Sequence, residues 1–189
     1  MNQPHCRSLE DLREACRQCR ACGLAATRQN VVFGEGNSRA QIFLLGEAPG
    51  AQEDESGRPF VGRAGETLNR LLWQAGLERS DLFITGSIKC RPPRNRNPHR
   101  AEIAACRPLL NQQLDLIRPR IIVCLGLVAA QNLLGPGVRM GDIRGQWFEY
   151  RGCRVYPTYH PAAVLRHTVS AELLVEDFRA LKKALSSAG

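Results

Sequence analysis

The run QIFLLGE, residues 41–47, is a short apolar segment that ends in Gly46 and Glu47. Apolar runs of this length, bounded by turn residues, are typical of strands that are buried on both faces of a sheet. Comparable runs are DLFITGSIKC (81–90), RIIVCLG (120–126) and the strand entered from a predicted hairpin around Arg151-Gly152. The sequence therefore predicts four buried strands.

Segments with helical periodicity separate these strands. Ser8 followed by Asp11 resembles a capping box and starts a predicted helix over 9–20. Further helices are predicted from 64 to a close at Gly76, from Pro98 to Ile117 with a kink or split at Pro108, and over 171–185. A short helix that ends at Leu134 follows the strand 120–126, and 48–63 is predicted to be a loop.

The alternation of strands and helices predicts an α/β fold. We expect a three-layer α/β/α domain with a central, mostly parallel four-stranded sheet, formed by residues 1–189 as a single domain. Ligands bind beyond the carboxyl ends of parallel strands, so function is expected in the loops 46–63, 86–98 and 157–167.

The charge balance favours a polyanionic partner. The chain has 26 Lys and Arg against 18 Asp and Glu, a net charge of +8. Nearly all of the cations are Arg, since Lys occurs only at 89, 182 and 183, and Arg suits forked contacts to phosphate. The N-terminus has no signal-peptide core and no apolar run reaches membrane-spanning length, so we expect a cytoplasmic protein without a membrane partner.

Eight cysteines in a reducing compartment point to metal or redox chemistry more than to disulfides. CRQCRAC, residues 16–22, places three of them at a spacing of three, so both Cys16/Cys19 and Cys19/Cys22 form a C-x-x-C pair. Cys16 continues the apolar face of Leu9 and Leu12 and is interpreted as a core residue. Four thiolates could bind either zinc or an iron–sulfur cluster, and spacing does not separate the two.

Two loops carry candidate chemistry. GEAPGAQED, 46–54, has glycines and acids but no Gly-Lys-Ser/Thr and no G-x-G-x-x-G, which excludes a phosphate loop and a dinucleotide fingerprint. YPTYHPAAVLRH, 156–167, holds His160 between Tyr159 and Pro161. Taken alone, each could be purely structural.

Together, these segments resemble a known family. VVFGEGNSRAQIFLLGEAPGAQEDESGRPFVGRAGETL, KCRPPRNRNP, AACRPLL and PTYHPAAVLR are similar to motifs of the family 4 uracil-DNA glycosylases, the iron–sulfur members of the uracil-DNA glycosylase superfamily. The resemblance covers about residues 16–183, and the motifs occur in the family's order.

The resemblance implies a function and a cofactor. The function is hydrolytic excision of uracil from single- or double-stranded DNA by a monofunctional glycosylase, the first step of base excision repair. The enzyme is expected to be a monomer and to act in the cytoplasm at the nucleoid. The cofactor is a [4Fe–4S] cluster held by Cys19, Cys22, Cys90 and Cys106.

The resemblance also implies roles for individual residues. Glu47 stabilises the sugar cation and orients water, while His160 stabilises the departing base. The base is held by Gly46, Ala48, Pro49, Gly50, Phe60 and Gly86, whereas Val164, Leu165, Arg166, Arg91, Arg94 and Arg96 wedge the duplex or contact its backbone.

The sequence departs from the family at Gly86. Family members usually carry an Asn that reads the uracil edge at this position, in I-T-N-x-x-K-C, whereas this chain has ITGSIKC. We therefore expect slower excision or looser base choice, with hypoxanthine or xanthine as further substrates. The alternative is a binding module that grips damaged DNA without turnover. A covalent uracil-trapping relative is excluded, because GRPFVGRAG lacks the basic insertion with a reactive His.

Overall fold

A computed structural model describes residues 6–186. Its helices are α1 (Leu9–Arg17), α2 (Ala51–Ser56), α3 (Arg63–Gln74), α4 (Arg100–Ile117), α5 (Leu127–Leu134), α6 (Met140–Ile143), α7 (Pro161–Leu165) and α8 (Ala171–Ser186). Its strands are β1 (Glu35–Gly36), β2 (Ile42–Gly46), β3 (Phe83–Gly86), β4 (Ile121–Leu125), β5 (Phe148–Tyr150) and β6 (Cys153–Thr158). The single-domain prediction for 1–189 is not tested, and residues 1–5 and 187–189 lie outside the described range.

The strands form one sheet in the order β1-β3-β2-β4-β6-β5. The four central strands pair in parallel, as predicted, while β1 and β5 join the two edges antiparallel. The expected four-stranded sheet is therefore the centre of a six-stranded mixed sheet. The hairpin around Arg151-Gly152 is confirmed, with Tyr150 opposite Cys153.

Helices cover both faces of the sheet, because every central strand is apolar on both sides. Along β2, Phe43 and Leu45 join a core cluster with residues of α1, α4 and α5, while Ile42 and Leu44 join a second cluster with residues of α3 and α8. Alternate side chains of a strand point to opposite faces. The three-layer α/β/α prediction is thus confirmed.

Several predicted boundaries were wrong. The segment 48–63 contains α2, whose first turn Glu53 caps by accepting the Gly50 N–H at 3.1 Å. The first helix ends at Arg17 rather than at 20, and β3 ends at Gly86 because the chain then bends. Pro108 lies inside an unbroken α4. Within residues 6–186, no helix combines the length and apolar character needed to cross a bilayer.

Candidate active site and cysteine cavity

The carboxyl ends of the parallel strands meet around one cavity of about 660 Å³. Because these strands share a direction, their terminal loops lie at one edge of the sheet. The cavity is lined by Gly46, Glu47, Ala48, Pro49, Gly50, Phe60, Gly86, His160, Arg96 and Arg166 among the predicted site residues. It is also lined by Val32, Glu53, Pro59, Ala64, Pro92, Asn95, Asn97, Gly126, Leu127, Val128 and Ala162.

Glu47 is the first residue after β2 and is half-buried. Burial raises the pKa of this carboxyl above its ordinary value. A carboxylate that has lost part of its hydration interacts more strongly with a nearby positive charge. Glu47 is therefore suited to stabilise a cation that forms inside the cavity.

The acidic loop is tied to the segment that carries Phe60. One Glu53 oxygen accepts the Gly50 N–H, and the other accepts the N–H groups of Val61 and Gly62 at 3.0 and 2.9 Å. A single carboxylate thus fixes two walls of the cavity. Glu53 is one of the acids of the 46–54 loop, but its partners lie up to nine residues away and no local sequence pattern indicates them.

Phe60 is held in a conformation that is uncommon for a side chain with a Cβ, at φ 51°. Arg79 donates to the Pro59 carbonyl at 2.7 Å and the Phe60 carbonyl at 3.4 Å, and pairs with Glu35 at 3.0 Å. The ring lies against Gly46, where an added Cβ would be 2.7 Å from it. It also stacks on His160, with ring centroids 5.6 Å apart.

His160 caps α7 with its own ring. The Nδ1 atom accepts the Ala162 N–H at 3.1 Å, so the proton of the neutral imidazole resides on Nε2. Burial, reinforced by the Arg166 charge, lowers the pKa of His160 to about 4. At neutral pH this side chain is therefore an uncharged N–H donor.

Gly86 lines the cavity at the end of β3, and its neighbour Ser87 points elsewhere. The Ser87 hydroxyl is fully buried and donates to the Gly46 carbonyl at 2.9 Å. A Cβ at Gly86 would lie 2.8 Å from the Ile88 carbonyl oxygen, closer than real Cβ contacts come. In this backbone conformation the position is therefore closed to side chains.

The predicted DNA-contacting residues divide into two groups. Arg96 and Arg166 line the cavity, but Arg96 also forms a two-pronged pair with Glu102 at 2.6 and 2.9 Å, which offsets its charge. The remaining predicted residues lie outside the cavity lining, namely Arg91, Arg94, Val164 and Leu165. Their proposed roles stay predictions.

A second cavity is formed by cysteines from three segments. Its lining includes Cys16, Cys19 and Cys22 from α1 and the following turn, Cys90 after β3, and Cys106 on α4. Cys16 is a core residue, as interpreted, yet it also faces this cavity. Burial raises the pKa of the Cys16 thiol to about 12 and of the Cys106 thiol to about 11.

The cavity offers several sulfur ligands, the donor type that both iron–sulfur clusters and zinc use. Among residues 6–186, no three His, Cys, Asp or Glu side chains converge in a way that could hold one metal ion. A cubane iron–sulfur cluster instead binds each thiolate to a different iron, so its ligands surround a space. Two cations, Lys89 and Arg28, also line the cavity, and Arg28 donates to the Cys90 Sγ at 3.4 Å.

Known proteins resemble this chain over most of its length. The family described as the uracil DNA glycosylase superfamily matches residues 33–185. A type-4 uracil-DNA glycosylase of Saccharolobus solfataricus is 46% identical over 95% of this chain and 88% of that protein. Type-4 enzymes of Pyrobaculum aerophilum and Thermotoga maritima are 45% and 40% identical, over 84% and 96% of this chain and 85% and 96% of their own lengths.

Proposed function

We propose that this chain, which belongs to the uracil-DNA glycosylase superfamily, removes uracil from DNA by hydrolysis and so begins base excision repair. Three similar proteins, which match 84% to 96% of its length, are named uracil-DNA glycosylases. The observation that carries the proposal is the meeting of Glu47, Phe60 and the neutral His160 around one cavity.

The reaction requires the target nucleotide to leave the duplex, because its N-glycosidic bond is buried in the base stack. Phe60 supplies an aromatic face on which the flipped base stacks. The Nε2–H of His160 donates to the base oxygen as the base departs with negative charge. Since the imidazole is already neutral, it remains a donor without giving up a proton.

Glu47 acts on the sugar. Its carboxylate faces the positive charge that develops at C1′ when the bond breaks, and it orients the attacking water. Strand cleavage would need an amine nucleophile. Among residues 6–186, no lysine lines the base cavity, and the ammonium of Lys89 is committed to three buried acceptors. The reaction therefore stops at the abasic site.

The proposed cofactor is a [4Fe–4S] cluster with Cys19, Cys22, Cys90 and Cys106 as ligands. When bound, it supplies a structural link between the N-terminal segment and the residues that follow β3. Arg91 and Arg94 extend from that part of the chain, so the link would preform a basic surface for the DNA backbone. We infer that the wedge is formed by Val164, Leu165 and Arg166, and that the enzyme acts as a monomer in the cytoplasm, at the nucleoid.

The proposal is tested by base release from labelled oligonucleotides that carry uracil, hypoxanthine, xanthine or thymine, single-stranded and paired. Glu47→Gln and His160→Ala should each lower uracil release, by about 10²- to 10³-fold where the His160 donor is lost. Glu55→Gln is a matched control, because Glu55 is exposed on α2 and outside the cavity lining. Tight binding without release from any substrate would replace the proposal with the binding module, which the absence of a side chain at Gly86 favours.

A further inference from the structure

Lys89 is a charged side chain in the interior, only 1% exposed. Its Nζ donates to Thr85 Oγ1 at 2.5 Å, Gly86 O at 2.8 Å and Gln113 Oε1 at 2.7 Å. An ammonium has three N–H groups, so all of them are used. All three acceptors are neutral, and none of them balances the charge.

A buried charge is costly unless an opposite charge lies near it. Lys89 lines the cysteine cavity together with Cys16, Cys90 and Cys106, and no carboxylate is among the described residues of that lining. Metal-bound cysteines are thiolates, so a four-cysteine metal site is negative overall. An occupied cysteine cavity would therefore supply the negative charge that balances Lys89.

A second cation, Arg28 of the N-terminal segment, lines the same cysteine cavity. Arg28 donates to the Cys90 Sγ, and it is fixed there by bonds to the Cys19 and Arg17 carbonyls at 2.8 and 2.9 Å. Arg28 is only partly buried, and water therefore screens it more than it screens Lys89. The larger electrostatic effect on the cysteines should come from Lys89.

The same lysine touches the wall of the base cavity. Gly86, whose carbonyl accepts from Lys89, lines that cavity. The two other acceptors of Lys89 are both fixed by the Phe33 carbonyl oxygen, to which Thr85 Oγ1 and Gln113 Nε2 each donate at 2.8 Å. A satisfied buried network of this kind has one arrangement. The position of Gly86 is thus linked, through its hydrogen bond with Lys89, to the neighbouring Cys90 of the cysteine cavity.

We propose that Lys89 is the built-in counter-charge of the metal-bound cysteines and, through the Gly86 carbonyl, a positioning residue for the wall of the base cavity. The inference rests on the proposed function for its metal and its substrate. The charge of the occupied cysteine site would then stabilise a lysine at this buried position, and the shape of the base cavity would depend on that site.

The test compares Lys89→Met, Lys89→Gln and Lys89→Arg in the metal-loaded protein. Met and Gln remove the charge, Gln retains hydrogen-bonding groups, and Arg retains the charge. Lys182→Met is the control, because Lys182 is an exposed lysine on α8 that donates to Gly76 O. The readouts are the rate of metal loss to a chelator, the midpoint potential of a bound cluster, and kcat and KM for uracil release.

Loss of the charge should speed metal loss at least tenfold in Lys89→Met and Lys89→Gln, but not in Lys89→Arg or Lys182→Met. It should also shift the reduction equilibrium at least tenfold toward the oxidised cluster, which is about 59 mV for one electron. In all three Lys89 variants, kcat should fall more than KM rises.

Equal metal loss and equal potential in the charged and uncharged variants would refute the counter-charge, and an unchanged kcat would refute the positioning role. These outcomes are separate from a failure of the proposed function. If the proposed function fails, the wild-type protein itself holds no metal or releases no uracil. If only the role of Lys89 fails, the wild type does both and the Lys89 variants match it in metal loss, potential and kcat.

Discussion

Gly86→Ala is expected to damage both stability and base release. The added Cβ would lie 2.8 Å from Ile88 O, 3.5 Å from Glu47 O and 3.6 Å from Ala48 Cα, and all of these are backbone atoms. Backbone cannot rotate away as a flexible side chain does. The Ile88 carbonyl must therefore move, and with it the Ile88 N–H that bonds to Glu47 O at 3.3 Å.

Forcing an extra carbon into a packed site costs about 1–3 kcal/mol. In a protein of this size, each kcal/mol lowers Tm by roughly 2–4 °C. Displacing the Glu47 loop should also reduce kcat by about tenfold or more, because an error of about 1 Å in a catalytic group can cost 10²-fold. Calorimetry and single-turnover release of uracil measure the two effects, with Gly137→Ala as control, since a Cβ there meets nothing within 4 Å.

Gly86→Asn separates this packing cost from base reading. It introduces the same Cβ as Ala, so a comparison of the two variants isolates the amide. If the amide reads uracil, Asn should raise the preference for uracil over hypoxanthine relative to Ala. Identical preferences would contradict the hypothesis of loosened base choice, and a Gly86→Ala protein as stable and active as wild type would refute the packing argument.

Burial raises the pKa of Glu47, so on acidification kcat/KM should begin to fall at a higher pH than it would for an exposed glutamate. Glu47→Gln should lack this acidic limb of the pH profile. A pH profile of the same shape in the variant would show that Glu47 takes no part in the reaction. The pKa of His160 is lowered from 6.5 to about 4, so the unfolded chain binds a proton that the folded one does not, and stability should decline as pH falls from 6.5 to 4. That part of the decline should be absent in His160→Gln, as measured by urea unfolding across pH. Arg79→Met should raise KM more than it lowers kcat, because it removes the hydrogen bonds that hold the Pro59 and Phe60 carbonyls, and Arg79→Lys should be intermediate. Equal kinetics in the wild type and both variants would argue against a role of Arg79 in holding this segment. Ser8→Ala removes the oxygen that accepts the Asp11 N–H at 3.1 Å and should lower stability by about 1 kcal/mol, visible as a lower Tm with unchanged kcat.

The central strands were predictable because their pattern is strong. The segment IIVCL within RIIVCLG is apolar at every position, as expected for a strand buried on both faces, and β4 is buried throughout. The edge strands were left out of the predicted four-stranded sheet: β1 has two residues and was not predicted, whereas β5, with three residues, is the first arm of the predicted hairpin but was not counted in the sheet. Such short segments have no period of their own, and they pair because a neighbouring strand offers free backbone groups.

The sequence by itself determined the layered α/β fold, the loops that hold the site and, through its motifs, the resemblance to the uracil-DNA glycosylases. These depend on patterns within single segments and on the order of the segments. Only the tertiary structure decided that Glu53 joins two cavity walls, that Arg79 holds the Phe60 segment, that Gly86 is closed to side chains, and that Lys89 lies between the cysteines and the base cavity. Each of these features depends on atoms that are distant in the chain or on the local path of the backbone, and neither leaves a periodic signal in the sequence.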